Sequence, residues 1–269
     1  MSELYKGYRA VVTGASSGIG ESIAKQLAAM GIHLVLVARR KEKLEALRTD
    51  LEKRHSIQVE CLSLDLCKSE DIRNVFPKST AGGKTVQILV NNAGIGPYGD
   101  FLKGSLETHL NTVRLNTEVL TGLSYEFSQH MLAQNQPCFI LNLSSVISYQ
   151  GTKKFAVYAA TKSYVRIFSE ILGGELESTG VSVSCLCPGG TYTEFLEKNG
   201  QDLKESGRTY MMSSDDVARI GVEGMFTRQR VIVPGVINKA ICLLPRFFPS
   251  RWALKIASRS MQKSVNEKN

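Results

Sequence analysis

The sequence predicts an α/β fold: a doubly wound parallel sheet of about seven strands, with helices on both faces and a short helical C-terminal extension. Three observations predict it. In the first half of the chain, short β-branched runs alternate with longer amphipathic patterns, as in repeated strand–helix–strand units. A glycine-rich turn, Thr13-Gly-Ala-Ser-Ser-Gly-Ile-Gly20, stands where the first run ends and the first helical pattern opens. The 269 residues are 43% hydrophobic, enough for one sizeable core, so a single domain over 1–269 is expected, with 234–269 as its extension.

The strand-like runs are 9–13, 33–38, 58–64, 86–90, 138–143, 181–186 and 230–233, each short and rich in Val, Ile or Leu. Helical spacing marks 19–30, 41–54, 69–76, 106–133 and 155–178, while 81–83 and 94–99 read as loops. Residues 189–210 mix Gly, Thr, Glu and Lys with a few large apolar side chains and no period, which predicts a flap over a site.

Composition narrows the class. Six cysteines form no CxxC pair and no His cluster accompanies them, so reduced thiols, a cytoplasmic location and no metal site are expected. The chain opens without the apolar run of a signal peptide, and no stretch is long enough to span a bilayer. The net charge of +8 is concentrated at the end, where residues 239–269 hold seven Lys/Arg against one acid.

The glycine turn sits between a strand and a helix N-terminus, where Gly14, Gly18 and Gly20 allow the backbone to turn beside a pyrophosphate and free N–H groups point at its oxygens. Ser16, Ser17 and Ile19 complete that turn. The second strand ends in Arg39 and Arg40, where an NAD site carries an acid to accept the ribose hydroxyls. A guanidinium cannot accept those bonds but pairs well with phosphate, so Arg39, Arg40 and the two serines predict NADP(H). Asp65, ending the third strand beside Leu66, is expected near the adenine.

At the catalytic end, Tyr158 and Lys162 are four apart on one helix, so they share a face and the ammonium is expected to lower the phenol from about 10 toward working pH. The glycine turn, Asn91-Asn-Ala-Gly94, Ser145, Tyr158-Ala-Ala-Thr-Lys162 and Pro188-Gly189 together resemble the short-chain dehydrogenase/reductase family, in order and spacing, over residues 7–233. The resemblance implies a Rossmann-like fold in which Tyr158 protonates a substrate carbonyl, Ser145 orients its oxygen, Lys162 also bonds the nicotinamide ribose and Asn116 holds a proton-relay water. It further implies that Asn91, Ala93, Gly94, Pro188, Gly189, Thr191 and Thr193 line the cofactor, with Thr193 rather than Thr191 at the carboxamide.

Family-like position surrounds the carbonyl with Pro97, Tyr98, Val146, Ile147, Tyr149, Gln150, Phe155, Tyr192 and Phe195, a mostly apolar and aromatic set that suggests a hydrophobic ketone or aldehyde. The extension could cap this pocket or form a dimer surface, and a homo-oligomer is expected. Its residues Arg251, Lys255, Arg259 and Lys263 recur every fourth position beside Trp252 and Ile256, a pattern shared by solvated helices and by helices lying on a membrane surface. No nucleic-acid partner is expected, and a non-catalytic NADP-binding or membrane-surface module is the alternative to catalysis.

Overall fold

The computed structural model describes residues 2–195, 199–200, 211–247 and 249–264. Seven parallel strands form one sheet in the order β3-β2-β1-β4-β5-β6-β9. They are β1 (Arg9–Thr13), β2 (His33–Ala38), β3 (Val59–Ser63), β4 (Ile88–Asn91), β5 (Cys138–Leu143), β6 (Val181–Leu186) and β9 (Val231–Ile232). The β-branched runs become strands because both faces are covered, so each run can be apolar throughout.

Strand alternation divides the core. Ala10, Val12, Leu34, Leu36, Ile88, Val90 and Phe139 face α1 (Gly18–Ala29), α2 (Lys41–Arg54) and α7 (Ser214–Phe226). Val11, Val35, Val37, Leu89 and Ile140 face α3 (Ser69–Ser79) and α5 (Val119–Leu132) on the other side. Tyr5 stacks on Phe226 at 4.3 Å and meets the edge of Phe139 at 5.3 Å, fastening the N-terminal turn under the sheet. Ser22 donates to Asp215 at 2.6 Å and ties α1 to α7.

Several expected boundaries move. Helix α3 runs past residue 76 through Pro77 to Ser79, with the Ser79 and Thr80 hydroxyls donating back to Val75 and Phe76 carbonyls at 2.7 and 2.9 Å. The single helix expected over 106–133 is α4 (Leu106–Val113), a π turn over Arg114–Glu118, and α5. Helix α6 (Ala156–Glu175) ends three residues before the pattern does. Helix α7 was not expected at all, although Ser213 caps it by accepting from the Asp216 N–H at 3.0 Å.

In the expected flap, β7 (Thr191–Tyr192) pairs in parallel with β8 (Met212–Ser213). Residues 196–198 and 201–210 of that segment lie outside the described residues. The extension forms α8 (Val236–Leu243) and α9 (Ser250–Ser264), joined by a turn. No helix among the described residues is long and apolar enough to cross a membrane.

Candidate active site

The chain leaves β1 for α1 on one face of the sheet and leaves β4 for α4 and α5 on the other, so a crevice opens between the ends of these adjacent strands. Two side chains hold it. Thr13 Oγ1 donates to the Val90 carbonyl at 3.1 Å and accepts from the Asn92 and Ala93 N–H groups at 3.0 and 3.1 Å. Asn92 Nδ2 returns to the carbonyls of Thr13 and Gly14 at 2.9 and 3.2 Å.

Above this joint lies a cavity of about 1110 Å³, beyond the roughly 300–1,000 Å³ of ordinary small-molecule sites. Gly14, Ser16, Ser17, Gly18, Ile19, Arg39, Arg40, Asp65 and Leu66 line one end. Gly14 and Gly18 have φ of +67° and +59°, a left-handed backbone that favours glycine, and a Cβ on Gly18 would stand 2.8 Å from Thr193 Cγ2. Gly20 is absent from the lining. It sits inside α1, where a Cβ would meet Asn92 Nδ2 at 2.3 Å and the Gly14 carbonyl oxygen at 2.6 Å, so its place is in helix packing.

Arg40 is bound to the glycine turn by several contacts. Its Nε and one NH group donate to Ser16 Oγ at 3.2 and 3.0 Å, and that NH group also reaches Ser17 Oγ at 2.8 Å. Its other NH group donates to Glu194 at 2.8 Å, and the second Glu194 oxygen accepts from Lys43 at 2.5 Å. Sequence reading missed this carboxylate, because it comes from the segment after β7, 154 positions away. Arg39 also lines the cavity, and its charge lowers the Cys67 thiol against the stronger upward effect of burial.

At the other end, Ala93, Gly94, Ser145, Tyr158, Lys162, Pro188, Gly189, Thr191 and Thr193 line the cavity, whereas Asn91 and Asn116 do not. Asn91 is the last residue of β4 and its amide is turned into the core, donating to Asn142 at 2.9 Å and Ser124 at 3.1 Å. Asn92 is the lining residue at that turn. Asn116, buried in the π turn, accepts from the Ile95 N–H at 3.0 Å and donates to the Ile95 carbonyl at 2.8 Å and to Thr161 at 3.0 Å. It thereby ties the loop after β4 to α6. π turns of this kind recur at functional sites because they re-aim one residue of a helix.

Ser145 caps a short helical turn by accepting from Ile147 N–H at 3.3 Å, and its hydroxyl donates to the Pro188 carbonyl at 3.4 Å. Ser144 is committed elsewhere, donating to the Lys162 carbonyl at 2.7 Å. Gly96 lets the ring of Tyr158 approach, since a Cβ there would lie 2.6 Å from it. Lys162 is buried, its Nζ donating to the Leu143 carbonyl at 2.7 Å and lying 5.8 Å from the Tyr158 ring centre.

The electrostatics correct one expectation. Burial pushes the Tyr158 phenol up to about 12, and only the Ser145 hydroxyl opposes the rise. Burial also pushes the Lys162 ammonium down to about 8, with the Cys185 and Cys187 thiols behind it resisting the drop. Desolvation of both groups outweighs the help that the lysine was expected to give the phenol.

Of the residues expected around the carbonyl, Val146, Ile147, Gln150, Phe155 and Phe195 line the cavity, but Pro97, Tyr98, Tyr149 and Tyr192 do not. Tyr98 packs on Phe155 at 5.1 Å, Tyr149 is covered by the Arg166 guanidinium at 4.6 Å, and Tyr192 is half exposed. The wall is completed by Ile241, Pro245, Ala253, Ile256, Ala257, Ser260 and Met261 of the extension. The small residues four apart at 253 and 257 were the available sign of a close helical contact. Asn238 of α8 packs against Gly189, where a Cβ would lie 2.3 Å from its Oδ1.

A left-handed glycine turn, a helix N-terminus and a cavity of this length fit a nicotinamide dinucleotide. The comparisons agree. The family model described as short chain dehydrogenase matches residues 8–204. The farnesol dehydrogenase of Aedes aegypti is 33% identical over 246 residues, 88% of this chain and 97% of that protein. The structure of a short-chain dehydrogenase from Sphingobium yanoikuyae in complex with NADPH overlays with a TM-score of 0.79 and 29% identity, covering 97% of this chain and 98% of that chain. One from Burkholderia phymatum in complex with NAD has a TM-score of 0.82 and 23% identity over 90% of this chain and 94% of that chain, a likeness of fold. The chain therefore belongs to the short-chain dehydrogenase/reductase family and is an oxidoreductase acting between CH–OH and C=O groups.

Gly20→Ala is expected to destabilise the protein by about 1–3 kcal/mol, through the collision with Asn92 and the Gly14 carbonyl, read as a lower urea midpoint at unchanged slope.

Proposed function

We propose that this protein reduces a hydrophobic ketone or aldehyde with NADPH, Tyr158 delivering the proton. The observation that carries the reading is the meeting of Ser145, Tyr158 and Lys162 in one wall of a cavity whose far end presents Arg39 and Arg40. A bound nicotinamide supplies the hydride. The phenol, held protonated by burial, gives its proton to the carbonyl oxygen, and the Ser145 hydroxyl orients that oxygen. The Lys162 ammonium keeps donors beyond the one given to Leu143, so it can anchor a ribose hydroxyl and favour the phenolate left behind. Asn116 acts by holding the loop after β4 against α6.

The preference for NADP(H) rests on the acid-free end of β2 and on the Arg40–Ser16–Ser17 bracket. The NADPH bound by the Sphingobium yanoikuyae relative supports it. The substrate class rests on the walls built from Val146, Ile147, Phe155, Ile241, Ile256 and Met261, and the names of the farnesol dehydrogenase and of a bulky-bulky ketone specific alcohol dehydrogenase from Comamonas testosteroni point the same way.

Tyr158→Phe is expected to lower kcat about 100- to 10,000-fold with NADPH binding retained; undiminished turnover of every carbonyl the native protein reduces rejects the assignment. The kcat/KM for reduction should fall as pH rises through about 8, because Lys162 is protonated below that value and neutral above it, while Tyr158 keeps its proton up to about 12. Glu194→Gln releases Arg40 and Lys43 from an internal carboxylate, so NADPH should bind about two- to fivefold tighter with NADH unchanged, measured by nucleotide fluorescence.

A further inference from the structure

The inner face of the C-terminal helical pair is fixed to the cavity. Ala253 and Ser258 are buried, Ser258 Oγ accepts from the Lys153 N–H at 3.0 Å, and Met261 packs against the cluster of Ile147, Phe155 and Ala159. What remains outward is therefore set by the fold.

That outward side is unusual for a solvated helix. Val236, Phe247, Trp252 and Ile256 are 83%, 78%, 64% and 57% exposed. Along α9, Arg251, Lys255 and Arg259 are also exposed and lie one turn apart on one face. Trp252 and Ile256 each follow a basic residue by one position, about 100° round the helix, so an apolar stripe runs alongside the cationic one. Residues 224–266 contain no Asp or Glu, so the segment supplies no carboxylate of its own to this stripe. A surface that pairs aromatic and aliphatic groups with cations that meet no carboxylate among the described residues is complementary to lipid headgroups, where tryptophan settles at the boundary and Lys and Arg meet phosphates.

We propose that α8 and α9 dock their outer face on an anionic lipid bilayer. Ile256 is exposed on this face and also lines the cavity, so docking places the cavity mouth at the lipid boundary, where apolar carbonyl compounds concentrate. The benefit to the substrate rests on the proposed carbonyl reduction, whereas the docking does not.

Trp252 is the only tryptophan of the chain, so its emission reports on this surface alone. The full chain is titrated with vesicles of phosphatidylcholine and with vesicles that also contain phosphatidylglycerol. Expected are a blue shift with the anionic vesicles only, its loss in about 1 M salt, and a roughly 100-fold weaker partition for the Arg251→Gln, Lys255→Gln, Arg259→Gln variant, whose thermal unfolding matches the native protein. Absence of a shift with anionic vesicles, or an equal shift with neutral ones, overturns the proposal. So does a shift produced without lipid by raising protein concentration, which assigns the face to a second copy. A lipid-dependent shift in a protein that turns over no carbonyl leaves docking standing and removes only the proposed reaction.

Discussion

Two adjacent strands whose following helices leave on opposite faces pull apart at their ends, and a parallel sheet exposes unpaired backbone groups there. In this protein Thr13 and Asn92 take up that load. Between them they satisfy the Val90, Thr13 and Gly14 carbonyls and the N–H groups of residues 92 and 93. With the joint held, the glycine turn can close over α1 and the Asn92-Ala93-Gly94 segment can run on toward Lys162. A Cβ on Gly94 would stand 3.1 Å from Asn116 Oδ1 and 3.5 Å from Lys162 Nζ, so even the far wall of the site is referred back to that loop.

The same logic of paired polar groups organises the catalytic side. Lys162 is buried yet hydrogen-bonded, Ser144 donates to its backbone carbonyl, and Asn116 spends its amide on two elements at once. Burial of a tyrosine and a lysine together shifts them in opposite directions, the phenol up and the ammonium down. Burial thus leaves the free protein with a phenol that holds its proton and an ammonium close to losing its own.

The main sheet strands were legible because strands buried on both faces need continuous apolar runs, and the glycine turn was legible because a left-handed backbone at Gly14 and Gly18 favours one residue type. The π turn was not, since inserting one residue into a helix leaves apolar spacing on either side intact. Helix α7 opens with Ser214-Asp-Asp and carries two glycines, which weaken its pattern; packing against α1 and β9 makes it a helix. Asn91 and Asn92 are indistinguishable in the sequence, and the pleat decides which of them points inward. Glu194 was unreadable for a different reason: its partners depend on how the chain returns to the sheet end.

Thr193 and Glu194 are consecutive: Thr193 lies against Gly18 of the glycine turn, and Glu194 holds the cations of Arg40 and Lys43. The segment is thus a caliper whose jaws are a single peptide bond apart. The two grips share one peptide plane, so moving the cations that follow β2 also moves the side chain resting on the glycine turn.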